Sequence, residues 1–288
     1  MADQRTAWIE AALSGCPVAA VQARLREELQ RRIRMMTTMG VREGFTSVTP
    51  YVVVVDVERL ISFAKETFGA VEEYRTTESA NGGAWCLMRI GDSMLTFTGG
   101  DLVKGREKLN ALHVYVPDVD AVYRRALEAG AESLYEPTDK PYGAREAGVK
   151  DPTGNIWFIA TPKGPRHEAL RTVTPYLLAV NALGLIEFLK AAFSAEEIGV
   201  YKSPEGKLLH AALRIGDAAL ECGEAPGLPF AFYLYVPDVD AVHRQAVAAG
   251  AKPLSPPSDQ PYGDRVGGVE DAWGNTWYIA SHLARESR

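Results

Sequence analysis

Apolar and polar positions in this chain change period at regular intervals. Residues 49 to 55 form a continuous β-branched and apolar run. ERLISFAKETF follows at once, with Leu60, Ile61, Phe63, Ala64 and Phe68 spaced to share one face of a helix. A strand is therefore followed by a helix, which Gly69 ends at the expected position. Three extended runs come next, at about 71 to 77, 84 to 90 and 94 to 97. They are separated by Asn81-Gly82-Gly83 and by Gly91-Asp92, both turn-forming steps. The unit reads βαβββ. The next unit keeps the same order: HVYV from His113, a helix over 119 to 129 closed by Gly130, SLYEP from Ser133, a strand near Val149, and a DPTG turn leading into NIWFIAT.

The whole pattern is then written a second time. Residues 111 to 161 and 231 to 281, 120 positions apart, are identical at 29 of 51 positions without a gap. VTPYVVVVDVERLISFAKETFGA at Val48 returns as VTPYLLAVNALGLIEFLKAAFSA at Val173, 125 positions on. Internal repetition of this kind sets the architecture. It predicts an α+β fold of four βαβββ units in two pairs, residues 46 to 163 and 170 to 283, joined by a short linker at Lys163-Gly164-Pro165. Each half is long enough to close its own core. Residues 1 to 45 have no counterpart and read as an N-terminal helical extension. From Pro17, the residues Val21, Leu25, Leu29, Ile33 and Met36 make one apolar stripe ending near Gly40, and Arg24, Arg26, Arg31, Arg32 and Arg34 lie opposite. Such a helix covers the body of the protein or a homodimer interface.

Composition narrows the functional classes. A formal net charge of -6 argues against nucleic acid, whose phosphates require clustered cations. Cys16, Cys86 and Cys222 form no CxxC pair, so neither a disulfide framework nor a thiolate zinc site is indicated, and a reducing cytoplasm is the expected location. Asp3, Arg5 and Glu10 interrupt any signal-peptide core, and no stretch reaches the roughly 18 apolar residues of a membrane span. There is no GxGxxG after a strand, no phosphate loop, no GxSxG elbow and no helical HExxH.

VPDVDAV followed by AGA, PYG with an arginine two positions later, and DPTGNIWFIAT, each with its second-half copy, resemble the vicinal oxygen chelate superfamily. That group includes glyoxalase I, bleomycin-resistance proteins and extradiol dioxygenases, and the PYG/R and GN/W features are similar to its PhnB-like members. The resemblance spans residues 46 to 283. It implies cups of about eight strands, each made of two units, with helices outside and a ligand cavity inside. In metal-using relatives the ligands stand at the start of the first strand and in the fourth strand of each unit. Carried over, these positions are Thr49, Thr96, His113, Phe158, Thr174, Glu221, Tyr233 and Tyr278, of which only His113 and Glu221 are good donors for a divalent metal. No cofactor is therefore expected, although the resemblance allows a divalent ion at that pair.

Strand parity adds the candidate lining. In HVYV, His113 and Tyr115 share one face, and the valines suit the helix side. In residues 84 to 90, Cys86, Met88 and Ile90 turn to the helices and leave Trp85 and Arg89 facing the cup. The second half points His210, Arg214 and Glu221 inward, with Tyr233, Tyr235 and Tyr278 from its last unit, and Phe158 faces in from the second unit. Trp157 and Trp277 have the opposite parity and read as core. Arg145 and Arg265 either bond turn carbonyls or clamp an anion.

Two pairings of units stay open. If each half closes its own cup, His113 and Glu221 fall in different cups. If the second and third units share one, then His113, His210 and Glu221 converge, and Trp85, Tyr233 and Tyr278 line the other. The expected function is that of a small-molecule-binding protein which holds a partly aromatic organic ligand in such a cup, as in toxin or antibiotic resistance. The alternative is a metal-dependent lyase, isomerase or dioxygenase acting on a vicinal-oxygen substrate.

Overall fold

The computed structural model describes residues 40–76 and 84–283. The helix expected from Pro17 onward, with its Val21 to Met36 stripe, lies outside the described residues. Among those described, the βαβββ unit appears four times. Unit 1 is β1 (Val48–Val54), α1 (Val57–Phe68), β2 (Val71–Thr76), β3 (Ala84–Ile90) and β4 (Ser93–Gly99). Unit 2 is β5 (Ala111–Tyr115), α2 (Val119–Glu128), β6 (Glu132–Lys140), β7 (Ala144–Lys150) and β8 (Ile156–Pro162). Unit 3 is β9 (Val173–Ala179), α3 (Ala182–Phe193), β10 (Glu196–Lys202), β11 (Leu208–Ile215) and β12 (Ala218–Glu224). Unit 4 is β13 (Ala231–Tyr235), α4 (Val239–Ala248), β14 (Lys252–Asp259), β15 (Asp264–Glu270) and β16 (Thr276–His282). No described helix is long and apolar enough to cross a membrane.

The strands form two eight-stranded sheets, ordered β14-β15-β16-β13-β1-β4-β3-β2 and β10-β11-β12-β9-β5-β8-β7-β6. Each sheet takes one unit from each half of the repeat, so the pairing across the halves is the one that forms. Its seams are antiparallel contacts between first strands, Thr49 opposite Tyr233 in one and His113 opposite Thr174 in the other. Within a half, by contrast, the units meet through their helices: α1 packs on α2 and α3 on α4. Trp157 of unit 2 lies against Phe63 and Phe68 of α1, and Trp277 of unit 4 lies 4.7 Å from Phe193 of α3. Both tryptophans are fully buried, as their parity requires.

The motifs common to both halves are structural devices. In VPDVD, Asp118 caps α2 by accepting from the Ala121 amide, and Asp238 caps α4 in the same way. The second aspartate of each motif, Asp120 or Asp240, receives a bidentate pair from Arg145 or Arg265, with both bonds at 2.7–2.8 Å. The two arginines thus tie their strands to the helix start through carboxylates; the expectation of turn carbonyls as partners is corrected. In DPTGN, Asp151 accepts from the Thr153 and Asn155 amides, the Asn155 side chain and the Trp157 indole, and Asp271 repeats the arrangement.

The cups are locked together by reciprocal turns. Thr172 donates its amide to Asp92 at 2.7 Å, and Ser47 donates to Asp217 at 2.8 Å. Gly91, at φ +58, lies so close to Thr172 that a Cβ would stand 2.4 Å from its hydroxyl.

Each half alone would leave the edges of β1 and β5, or of β9 and β13, without their seam partners. If the chain is cut at the Lys163-Gly164-Pro165 linker, the two fragments should co-purify when expressed together. Alone, residues 1–164 should elute as a dimer or larger species. A folded monomer on size-exclusion chromatography would contradict the seam.

Candidate functional site

The cup of units 2 and 3 gathers charge at its floor. His113, 5% exposed, lies on β5 at the seam. Its Nδ1 is 2.8 Å from Glu221 on β12, which is 2% exposed, and its Nε2 is 3.2 Å from Glu146 on β7, which is 7% exposed. The second contact is an ion pair without the alignment of a hydrogen bond, so Nε2 is a buried nitrogen lacking a directed partner. Tyr115 donates to Glu221 at 3.0 Å, and His210 Nε2 lies 3.3 Å from the same carboxylate. Tyr135 and Tyr142 each donate to Glu146 at 2.7 Å. Aromatic rings complete the wall. Tyr115 stacks on His113 at 4.4 Å, and Phe158 and Tyr176 meet edge to face at 5.1 Å.

Burial by itself would strip the proton from His113. The charge of Glu221, together with the hydrogen bond to it and the charge of Glu146, overrides this and raises the imidazole to about 9. Burial likewise works to protonate Glu221, but the His113 charge and bonds from both histidines hold it down at about 2. Glu146 is also held below its ordinary value, against burial, by His113 and the two tyrosines. The floor of the cup is thus an imidazolium between two carboxylates.

The cup of units 1 and 4 has the same strands and different contents. At the positions equivalent to His113, Glu146, Glu221 and His210 it carries Tyr233, Val266, Thr96 and Trp85. Tyr51, Tyr233 and Tyr278 pack on one another at 5.5–5.8 Å within it and stay partly exposed. Its mouth is covered by residues 40–45: Val41 and Phe45 are buried against Leu87, Tyr235, Val266 and Ala280. Gly40 is held there by a 2.6 Å bond from the His282 amide to its carbonyl. A buried carboxylate at this rim, Asp264, is bonded by His282 and Tyr235. In the cup of units 2 and 3 the position of Val41 is taken by exposed Arg166, which lies over the Tyr115 ring at 4.5 Å.

Of the candidates read from the sequence, His113, Tyr115, Phe158, His210 and Glu221 come together in one cup, and Trp85, Tyr233, Tyr235 and Tyr278 in the other. Arg89 and Arg214 lie apart from both clusters. They are partly exposed and pair with Glu73 and Glu196 on the neighbouring edge strands. Sequence reading missed Glu146, Tyr135, Tyr142 and Tyr176. Parity held the signal for two of them: Glu146 is three positions from core-facing Val149, hence on the cup side, and Tyr176 shares a face with Thr174.

Two imidazoles and two carboxylates are the right chemical types for a divalent metal. Their placement does not fit one. The two ring nitrogens of His113 face different carboxylates, so a single ion could use only one side of the ring. Among the described residues no three His, Cys, Asp or Glu side chains are gathered to hold a metal.

Comparison with known proteins agrees with the architecture. The chain matches the Glyoxalase/Bleomycin resistance protein/Dioxygenase superfamily over residues 45–159 and 185–279. An uncharacterized protein of Mycobacterium tuberculosis (strain H37Rv) is 38% identical over 122 residues, covering 37% of this chain and 72% of its own. A Mycobacterium bovis protein, also uncharacterized, is 38% identical over 122 residues, with 37% and 80% covered. Among solved structures, glyoxalase I from Zea mays superposes with a TM-score of 0.64 at 17% identity, over 82% of this chain and 92% of that one. A putative dioxygenase from Bacillus subtilis gives 0.57 at 14% identity, over 81% and 84%. At these identities the structures speak to the fold alone. The repeated units, their pairing into cups and the match over both halves together place this chain in the Glyoxalase/Bleomycin resistance protein/Dioxygenase superfamily, as a tandem member.

Proposed function

We propose that the protein binds a small, partly aromatic organic molecule in the cup of units 2 and 3, with the His113–Glu221–Glu146 cluster meeting its polar group. One observation carries this reading: the cluster is absent from the duplicate cup. Burying charge costs several kcal/mol per ion before pairing repays it. The equivalent positions Tyr233, Val266, Thr96 and Trp85 build the same sheet without that cost. Folding therefore does not require these charges where they stand. Tyr115, Phe158 and Tyr176 offer the aromatic surface.

Holding a ligand, as a toxin- or antibiotic-sequestering protein does, is favoured over transforming it. A carboxylate held near 2 is a weak general base at neutral pH. Burial pushes the thiols of Cys86 and Cys222 up to about 11 and about 12, away from nucleophilic use. The second reading, a metal-dependent enzyme acting on a vicinal-oxygen substrate, draws on the contact between His113 and Glu221 with His210 beside them. It requires the cluster to open and His113 to turn one nitrogen to the ion.

Elemental analysis of protein purified without chelator, combined with native mass spectrometry, separates the two. Substoichiometric metal is expected, with any retained organic molecule lost in His113→Ala and Glu221→Ala and kept in Tyr233→Ala. Stoichiometric metal that both substitutions remove, together with a measurable activity, would establish the enzyme reading instead.

The cluster also imposes a pH signature. His113 is raised from 6.5 to about 9, so its contribution is complete below 6.5 and is lost as pH rises through 9. Glu221 is lowered from 4.5 to about 2, so its contribution is complete above 4.5 and is lost as pH falls through 2. His113→Phe leaves two buried carboxylates without their cation and should cost about 3–5 kcal/mol. In urea titrations the gap between wild type and variant should be widest between pH 4.5 and 6.5 and should narrow towards 9. A gap independent of pH would show that His113 is buried neutral.

A further inference from the structure

The rim of the cup of units 2 and 3 carries a feature that its duplicate lacks. Lys140, at the end of β6, places its ammonium 4.1 Å from the centre of the Tyr135 ring and 3.9 Å from Glu146 Oε1. Tyr135 lies flat across β7 because residue 148 is glycine; a Cβ there would stand 2.4 Å from the ring. Tyr142, 60% exposed, brings its hydroxyl to the same carboxylate from the solvent side. Across the cup, the Arg166 guanidinium covers Tyr115, itself bonded to Glu221. Two aromatic faces, each backed by a carboxylate, are thus both occupied by cations of the chain itself. The other cup has Gln260, Ser255 and Val266 in place of Lys140, Tyr135 and Glu146, and Val41 in place of Arg166.

A cation over an aromatic face gains from the ring quadrupole, most where water is excluded, and a carboxylate behind the ring adds direct attraction. The floor beneath is not neutral without help. Glu146 and Glu221 share His113, and His210 approaches only on the Glu221 side, so the Glu146 end is balanced by Lys140. His113 Nε2, buried and without a directed partner, faces that same end. Lys140, its side chain 25% exposed, thus stands in a place with the chemistry of a cation site.

Building on the proposed ligand cup, we infer that its ligand is an organic cation, an amine or quaternary ammonium attached to an aromatic body. Its charged group takes the position over Tyr135 and beside Glu146 that the Lys140 ammonium fills in the free protein. Lys140 acts as an intramolecular competitor that the ligand displaces, and the aromatic body lies along Tyr176 and Phe158.

Three probes of one size and different charge test this on the full chain by isothermal titration calorimetry: benzylamine, benzyl alcohol and benzoate. Benzylamine should bind at least tenfold more tightly than either of the others. Lys140→Ala should strengthen benzylamine binding several-fold, because the competitor is gone, and Glu146→Gln should weaken it about tenfold. The lysine variant removes a half-buried side chain at the rim and leaves the buried floor of the cup intact, so it remains informative even if Glu146→Gln fails to fold. Benzoate binding as well as benzylamine, or Lys140→Ala leaving the affinity of benzylamine unchanged or lower, would overturn the cation assignment. If benzoate or benzyl alcohol binds and His113→Ala abolishes it, the cup remains the ligand site and only the charge class is wrong. If no probe binds either wild type or Lys140→Ala, both readings fall.

Discussion

Everything distinctive in this molecule follows from two short antiparallel seams, β1 against β13 and β5 against β9. Each joins a first strand of one half to a first strand of the other, so a cup cannot exist until both halves are folded and facing. The seam also sets the chemistry. His113 is opposite Thr174 on β9, and Glu221 pairs in register with Tyr176 on the same strand. Carboxylate and imidazole therefore reach one another only because units 2 and 3 share a sheet.

The protein is held in two directions at once. Along each half the helices and tryptophans Trp157 and Trp277 make a dry core, built by dispersion and burial. Across the halves the strands exchange backbone hydrogen bonds, and the Asp92 and Asp217 turns add side-chain bonds that fix the angle between the cups. The concave faces of the two sheets differ in what they hold. One face holds its own tyrosines with Val41 and Phe45, and the other carries buried charge.

Duplication makes the assignment of roles unusually direct. Where the two halves agree, as at Asp118 and Asp238, Arg145 and Arg265, or Asp151 and Asp271, the residues cap helices, clamp strands and tie turns. Where they differ at the cup floor, the difference is between His113, Glu146 and Glu221 in one and Tyr233, Val266 and Thr96 in the other. Buried charge lowers stability unless fully paired, and the cup of units 1 and 4 shows that the sheet closes without it at these positions. The identical motifs stand out most in the sequence, and they are the structural ones.

Local pattern determined the elements. The period-two runs, the helical spacing of Leu60, Ile61 and Phe63, and the stop at Gly69 depend on neighbours only, so strands and helices could be read directly, as could the burial of Trp157 and Trp277. Parity correctly turned His113, Tyr115 and Glu221 away from the helices for the same reason. What the sequence left open was the partner of each unit. β5 could meet β1 or β9 with the same alternation satisfied, and the choice rests on contacts between residues distant in the chain, His113 with Thr174 and Thr49 with Tyr233. That non-local choice, made by strand edges and helix faces together, brought Glu146 and Glu221 to opposite sides of one imidazole. The sequence also left open where Arg89 and Arg214 turn: each goes to a carboxylate on the edge strand of its own unit, Glu73 or Glu196, because a long cationic side chain near a strand end gains more from a solvated partner than from burial.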